Sequence, residues 1–443
     1  MNVEQFYQSG AVRDRMAEFL GGTTLDTATS CFIARCRDYD HPEFWASEPT
    51  RLDFFLENQT EVCRSLWDKQ NLVVHIDVEY VNFDYVAEPY LDPVRTYELQ
   101  QPIYDGILDF LARYGIHPLT LLSGRGYHFT WKISRQCCAF DSLTHITRLP
   151  SQLKQMYAQP LEPLGEIIEP ELGAAFEGLG LVVEYVARCV QQENAAYCAV
   201  PVQFVDMPTV PQHRGREAIS IDVTEYGDPL YTRVIRVPFS AYLKPWRNGS
   251  VPEHLRGQIP MMFAVPAAGG GIRSDVANMR DAERAVQLAR KTHTIIPDAS
   301  DATERLIEAY IRSDTARYHA WFYLQDHEPK SRWPNTYDRF RPDEPAVQRI
   351  FDHPNDLLLK PDCIRQVVVA LCRRGWHPRH IAGLIRSKYE RDYGWLNKWF
   401  KYDAGKRADF YTRLFAGSIV LGPDVGPDVD EVAMARQVMT FSI

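Results

Sequence analysis

Nine residues constrain this chain more than any others. The run Leu72-Val-Val-His-Ile-Asp-Val-Glu-Tyr80 is apolar and β-branched for most of its length and ends in acidic residues. That is the pattern of a buried strand carrying functional groups near its exit. Side chains alternate across a strand, so Asp77 and Glu79 share one face. Two neighbouring carboxylates repel unless a cation lies between them, and hard oxygen ligands of this kind suit Mg²⁺ or Mn²⁺. An isolated Asp-x-Glu also describes strand-end acids facing water, so its context has to decide.

Around this strand, residues 1–70 read as a helical cover, with apolar residues at helical spacing near Met16, Phe19 and Leu20 and again near Phe54, Leu56, Val62 and Leu66. A helix is predicted over 97–114, stopped by Gly115. Leu119–Leu122 and Tyr127–Ile133 form two short strands around a glycine turn, and 141–195 is a helical insertion. Ala218–Val223 and Tyr231–Val237 are two further strands. Strands and helices alternate over 71–264, the core. Residues 265–300, with glycines at 269–271, are the expected linker. A helical region follows over 301–420, with candidate helices at 302–314, 345–352, 362–374, 378–391 and 404–416, and a tail over 421–443.

Two more segments carry chemistry. Ser123-Gly-Arg-Gly-Tyr-His128 is a turn between strands whose glycines admit close backbone approach, while Ser123, Arg125 and His128 offer donors to phosphate oxygens. It also suits an ordinary hairpin. Asp222 ends the apolar strand Ala-Ile-Ser-Ile-Asp and is a candidate third metal ligand. Beyond it lies Arg233-Val-Ile-Arg236-Val-Pro-Phe-Ser240-Ala-Tyr-Leu-Lys244. Arg233 and Arg236 are three apart and face opposite sides of a strand, so one of them, for which we take Arg236, points into a site shared with Asp222. Ser240 and Lys244 lie where a triphosphate could be gripped. The plain alternative is a set of basic residues on a sheet edge.

Taken together, Asp77-Val-Glu79, the Ser123-to-His128 turn and Ile221-Asp222 resemble the catalytic core of the archaeo-eukaryotic primase superfamily, over roughly residues 70–250. The stretch from Arg233 to Lys244 is similar to the segment that follows the third motif in archaeal primase small subunits. The resemblance implies an α/β fold, an RRM-like mixed sheet with flanking helices, joined here to an all-helical C-terminal domain. It implies that Asp77, Glu79 and Asp222 hold two divalent ions, Mg²⁺ or Mn²⁺, and that Ser123, Arg125, His128, Arg236, Ser240 and Lys244 bind an NTP or dNTP. The implied activity is that of a DNA primase or primase-polymerase on a single-stranded DNA template, with a helicase or another replication or defence protein as partner. Two alternatives stay open: a repair or defence polymerase that only extends ends, and an inactive primase-like protein that binds nucleic acid. Tyr242 stands where those primases tend to have His, the Ser-to-His spacing is short, and no zinc knuckle separates the second and third motifs. The chain therefore resembles a divergent prokaryotic or mobile-element type.

Composition limits the remaining choices. The 443 residues have a formal charge of −9, which argues against nucleic acid only if charge is spread evenly. It is not: residues 361–420 hold twelve basic and five acidic side chains, a surplus of seven positive charges. Arg373, Arg374, Arg379, Arg386, Lys388 and Lys398 are the candidate nucleic-acid contacts, with Trp376, Tyr389, Tyr393, Trp395, Trp399, Tyr402 and Tyr411 as candidate stacking residues. A helical bundle with aromatics inside and arginines outside fits equally well. Nine scattered cysteines without a C-x-x-C fit reduced thiols. Cys137, His145, Cys189 and Cys198 could assemble a zinc site only by chance, so zinc is not expected. No run of about 18 apolar residues and no signal-like N-terminus occur, so a cytoplasmic protein without a membrane partner is expected. Walker A, G-x-S-x-G and H-E-x-x-H patterns are absent.

Overall fold

The computed structural model describes residues 1–31, 33–36, 44–161, 164–208, 216–246, 250–391 and 402–422. Its strands are β1 (Ile33–Cys36), β2 (Phe44–Ser47), β3 (Glu61–Ser65), β4 (Asn71–Asn82), β5 (Leu119–Leu122), β6 (Gly126–Ser134), β7 (Val202–Gln203), β8 (Glu217–Asp222), β9 (Val234–Arg236) and β10 (Val265–Pro266). They form two sheets, ordered β2-β1-β3-β9 and β10-β5-β6-β4-β8-β7. The larger one is mixed: β7 runs parallel to β8 while the other pairs are antiparallel. The architecture is therefore mixed α/β, with many helices around these sheets.

β4 sits near the middle of the larger sheet because it is long and almost wholly buried. Cross-strand neighbours share a face, and here the two faces differ in chemistry. Val78 is opposite Tyr127, whose ring lies 5.0 Å from Tyr97 and 4.5 Å from Tyr104 on the helix Pro93–Ala112. Val74 is opposite Trp131, whose Nε1 donates to Thr303 Oγ1 of the helix Ser300–Ile311 at 3.0 Å. That face belongs to the helices. His75, Asp77 and Glu79 take the other.

The helix expected over 97–114 begins earlier, at Pro93, because Asp92 accepts a hydrogen bond from the Arg95 amide and Pro93 suits the first helical position. Gly115, with φ near +79°, follows its end as expected.

Two expectations differ from the structure. Residues 1–70 are not only helical; they supply β1, β2 and β3, and β3 pairs with the distant β9. Hydrophobic periodicity misses β3 because three of its five buried residues are Glu61, Arg64 and Ser65. The stretch 265–300 is no bare linker. β10 pairs with β5, and the helices Ile272–Arg280 and Ala282–Ala289 bury Met279, Ala285 and Val286 in the same core as the sheet. Its glycine run forms a turn within the fold.

The long helix Pro170–Asn194 is buried along most of its length. The last described helix, Ala404–Val420, packs on it through polar contacts: Glu184 accepts from Arg413 Nε at 3.0 Å, Arg188 Nη2 donates to the Leu414 carbonyl at 2.7 Å, and Lys406 pairs with Glu177. None of the described helices is long and apolar enough to cross a membrane.

Gly126 controls the approach of β6 to β4. A side-chain carbon there would overlap the Val78 carbonyl, a backbone atom that cannot step aside. Gly126→Ala is expected to lower unfolding free energy in urea by about 2 kcal/mol or more. Gly257→Ala, where nothing lies within 4 Å and the backbone is right-handed helical, should change it by less than about 0.5 kcal/mol.

Candidate active site

The antiparallel ladders set Asp77 directly between two neighbours, Asp222 of β8 and His128 of β6. Glu79 lies between Gly126 and Ser220. One oxygen from each of Asp77, Glu79 and Asp222 can be chosen so that all three lie within 4.8 Å of one another. The acid pair read from one strand thus gains its third member from the adjacent strand. Asp222 is held in place by accepting the Thr224 amide at 2.8 Å.

Cations surround these acids. Lys244 Nζ is 3.3 Å from Glu79 Oε1, and Arg125 Nη2 donates to Glu79 Oε2 and, at 2.7 Å, to Asp206 Oδ2. From the smaller sheet, Arg236 pairs with Glu61, donates from Nε to Ser123 Oγ at 3.3 Å and lies 4.6 Å above the Tyr242 ring. His128 Nε2 is 3.7 Å from Asp77 Oδ1, and its ring is 4.7 Å from that of His75. His75 Nδ1 is in turn 2.6 Å from Glu225 Oε1.

Five of the six candidate nucleotide-binding residues, Ser123, Arg125, His128, Arg236 and Lys244, are brought to the acids or to the turn beside them. Ser240 is not. It is fully buried, and its Oγ accepts the Val62 amide at 2.6 Å, tying the turn after β9 to β3 behind the site. The turn swings inward at Phe239, whose φ of +65° is rare for a bulky residue. Tyr242 is buried too, and its ring fills the space over Gly124, where a side-chain carbon would collide with it. It thus braces the Ser-Gly-Arg-Gly turn and carries the Arg236 guanidinium on its face.

Sequence reasoning missed His75, Glu61, Asp206 and Glu225. His75 was within reach, since it stands two residues before Asp77 on the same strand face. The other three come from distant segments and carry no local signal.

Burial, the nearby charge of Asp222 and that of Glu225 push the Asp77 carboxyl up to about 7, against the opposing pull of His75. Burial and then Asp206 raise Asp222 to about 6, while the hydrogen bond from Thr224 acts the other way. Burial holds His128 well below its ordinary value, with His75 and Lys244 adding to the effect. The donor set is all carboxylate oxygen, and buried Asp77 Oδ1 has no hydrogen-bond partner among the described residues. These features fit a hard divalent cation such as Mg²⁺ or Mn²⁺.

The basic C-terminal residues are placed differently from the expectation of an open stacking surface. Arg379 pairs with Asp409, which also lies 2.7 Å from His327 Nε2. Arg386 pairs with Glu390 at 2.6 Å and Arg374 with Asp343 at 3.1 Å, while Lys388 is buried. Arg373 is exposed at the end of the helix Pro361–Arg373. Tyr389 and Tyr411 are core residues, and Trp376 packs 4.7 Å from Phe340. Lys398, Tyr393, Trp395 and Trp399 lie outside the described residues. Three of these arginines are thus engaged in ion pairs, Arg386 with an acid one turn along its own chain segment and Arg379 and Arg374 with acids of other elements.

No protein-family profile matches the sequence, and no curated protein matches it. Among solved structures, the polymerase domain of Mycobacterium tuberculosis Ligase D in complex with DNA aligns with 69% of this chain and 91% of that chain, at a TM-score of 0.34 and 12% identity.

Raised carboxylates have a calculable sign. Asp77 and Asp222 sit above the ordinary aspartate value of about 3.9, so the stability they contribute is full below that value and lost as pH rises through about 6 and about 7. Without divalent ions, unfolding free energy should fall across this window. Mn²⁺ should reverse the fall, with an apparent affinity that climbs over the same range as protons leave. Thermal unfolding against pH, with and without Mn²⁺, measures both; an Mn²⁺ effect independent of pH would contradict the assignment.

Proposed function

We propose that this protein is a divalent-metal-dependent nucleotidyltransferase, a primase or primase-polymerase that joins NTPs or dNTPs on a single-stranded DNA template. The observation that carries the reading is the joining of three carboxylates on one face of β4 and β8 with Arg125, Lys244 and His128 beside them and Arg236 held at Ser123. Acids at hard-ligand distance beside cations that face them form the charge pattern that phosphoryl transfer demands, since that chemistry rests on positioning and charge compensation.

In this reading Asp77, Glu79 and Asp222 hold the ions. A bound pair of divalent ions supplies activation of the attacking 3′ hydroxyl and neutralisation of the departing pyrophosphate. Arg125, Lys244 and Arg236 orient and neutralise the triphosphate, and Ser123 fixes Arg236 toward it. His128, kept neutral by burial, can donate one hydrogen bond without adding charge beside Asp77. Tyr242 replaces a phosphate contact with a brace beneath Arg236. A protein that only bound nucleic acid would gain nothing from gathering three mutually repelling carboxylates on one face, and this supports catalysis over simple binding.

The test is incorporation of labelled NTPs or dNTPs on single-stranded DNA with Mg²⁺ or Mn²⁺, with and without a primer. Asp77→Ala and Glu79→Ala should each lower incorporation by about a thousandfold or more while leaving the fold intact. Undiminished synthesis by either variant would overturn the reading. Products in the primer-free reaction would separate a primase from an enzyme that only extends ends.

A further inference from the structure

Glu79 has more claimants than it can serve. Its two oxygens are taken by Lys244 and Arg125, yet the metal reading needs at least one of them for an ion. A guanidinium is never deprotonated in a protein, so Arg125 has to be moved aside or held to one side. The same Nη2 that meets Glu79 also meets Asp206 Oδ2 at 2.7 Å. Asp206 is therefore the second anchor that lets Arg125 release Glu79 without becoming an unpaired buried cation.

Asp206 is well placed for this. It follows β7, the parallel strand beside β8, in a turn closed by Gln203 Nε2 donating to the Met207 carbonyl at 2.8 Å. The Val223 amide donates to the Phe204 carbonyl at 3.3 Å, and Phe204, Val205 and Met207 are buried. The turn thus rides on the strand that ends at Asp222. Asp206 Oδ1 and Arg125 Nε are buried without hydrogen-bond partners among the described residues, leaving capacity for a two-point pairing.

We propose that Asp206 is a positioning residue: it holds Arg125 at the rim, freeing Glu79 for the metal and directing the guanidinium toward an incoming triphosphate. This rests on the metal-site reading above. A simpler role, in which Asp206 attracts cations by its charge alone, predicts something different. Direct attraction would act whether or not Arg125 is present, whereas positioning works only through Arg125.

The experiment is a double-mutant cycle read by Mn²⁺ binding, using the full chain, the metal alone and electron paramagnetic resonance of free Mn²⁺. Asp206→Asn should weaken Mn²⁺ binding about tenfold, because Arg125 then settles on Glu79. Arg125→Ala should bind Mn²⁺ at least as tightly as the parent protein. Adding Asp206→Asn to Arg125→Ala should then cost almost nothing. Asp206→Ser repeats the cycle with a smaller side chain, in case Asn disturbs the turn. An equal loss in both backgrounds would overturn the proposal and leave the metal site standing. Parent protein that binds no more Mn²⁺ than Asp77→Asn would overturn the metal reading itself, and the proposal with it.

Discussion

The register between β4 and β8 governs everything at the acid cluster. It sets Asp77 opposite Asp222 and keeps Glu79 two residues further along on the same face. A slip of one residue would turn those acids toward the helices and bring Val78 and Ile76 onto the opposite face. What prevents the slip is the opposite face, where Val74, Ile76 and Val78 are buried and the cross-strand partners Tyr127 and Trp131 are locked against helices. The apolar half of one strand thus fixes the position of its charged half. On the other side of β4, the glycine opposite Glu79 lets β6 approach closely.

Such a register creates a cost that neighbouring charges partly offset. Carboxylates brought together where burial limits their hydration resist ionisation, which is why Asp77 and Asp222 are raised. His75 and Lys244 offset part of that repulsion at Asp77, and Arg125 and Lys244 pair with Glu79. The smaller sheet contributes Arg236, anchored by Glu61, and the tyrosine under it. The larger sheet carries the acids together with His128 and the turn bearing Arg125, and the smaller sheet adds Arg236.

Much of this was legible in sequence where chemistry follows strand period. Asp77 and Glu79 declare a shared face by spacing alone, and Asp222 stands out as the acid ending an apolar strand. The glycine turn with Arg125 and His128 was readable for the same reason. Legibility failed where partners come from far along the chain: Glu61, Asp206 and Glu225 gain their meaning only from tertiary contact. Ser240 misled because a serine beside basic residues looks exposed, although its hydroxyl is consumed by the Val62 amide. The C-terminal basic residues misled because composition reports charge and not partners; Glu177, Glu184 and Asp409 pair with Lys406, Arg413 and Arg379. β1 and β3 escaped notice because they are short and, in β3, polar though buried.

The central claim is that one strand pair presents three carboxylates to divalent cations within a cationic rim. Anomalous diffraction from crystals grown with Mn²⁺ and a nucleoside triphosphate tests it most directly. The account predicts anomalous density at coordination distance, roughly 2.2 Å, from oxygens of Asp77, Glu79 and Asp222 together, with Arg125 withdrawn from Glu79. Absence of anomalous density there, with Arg125 and Lys244 still paired to Glu79, would contradict it.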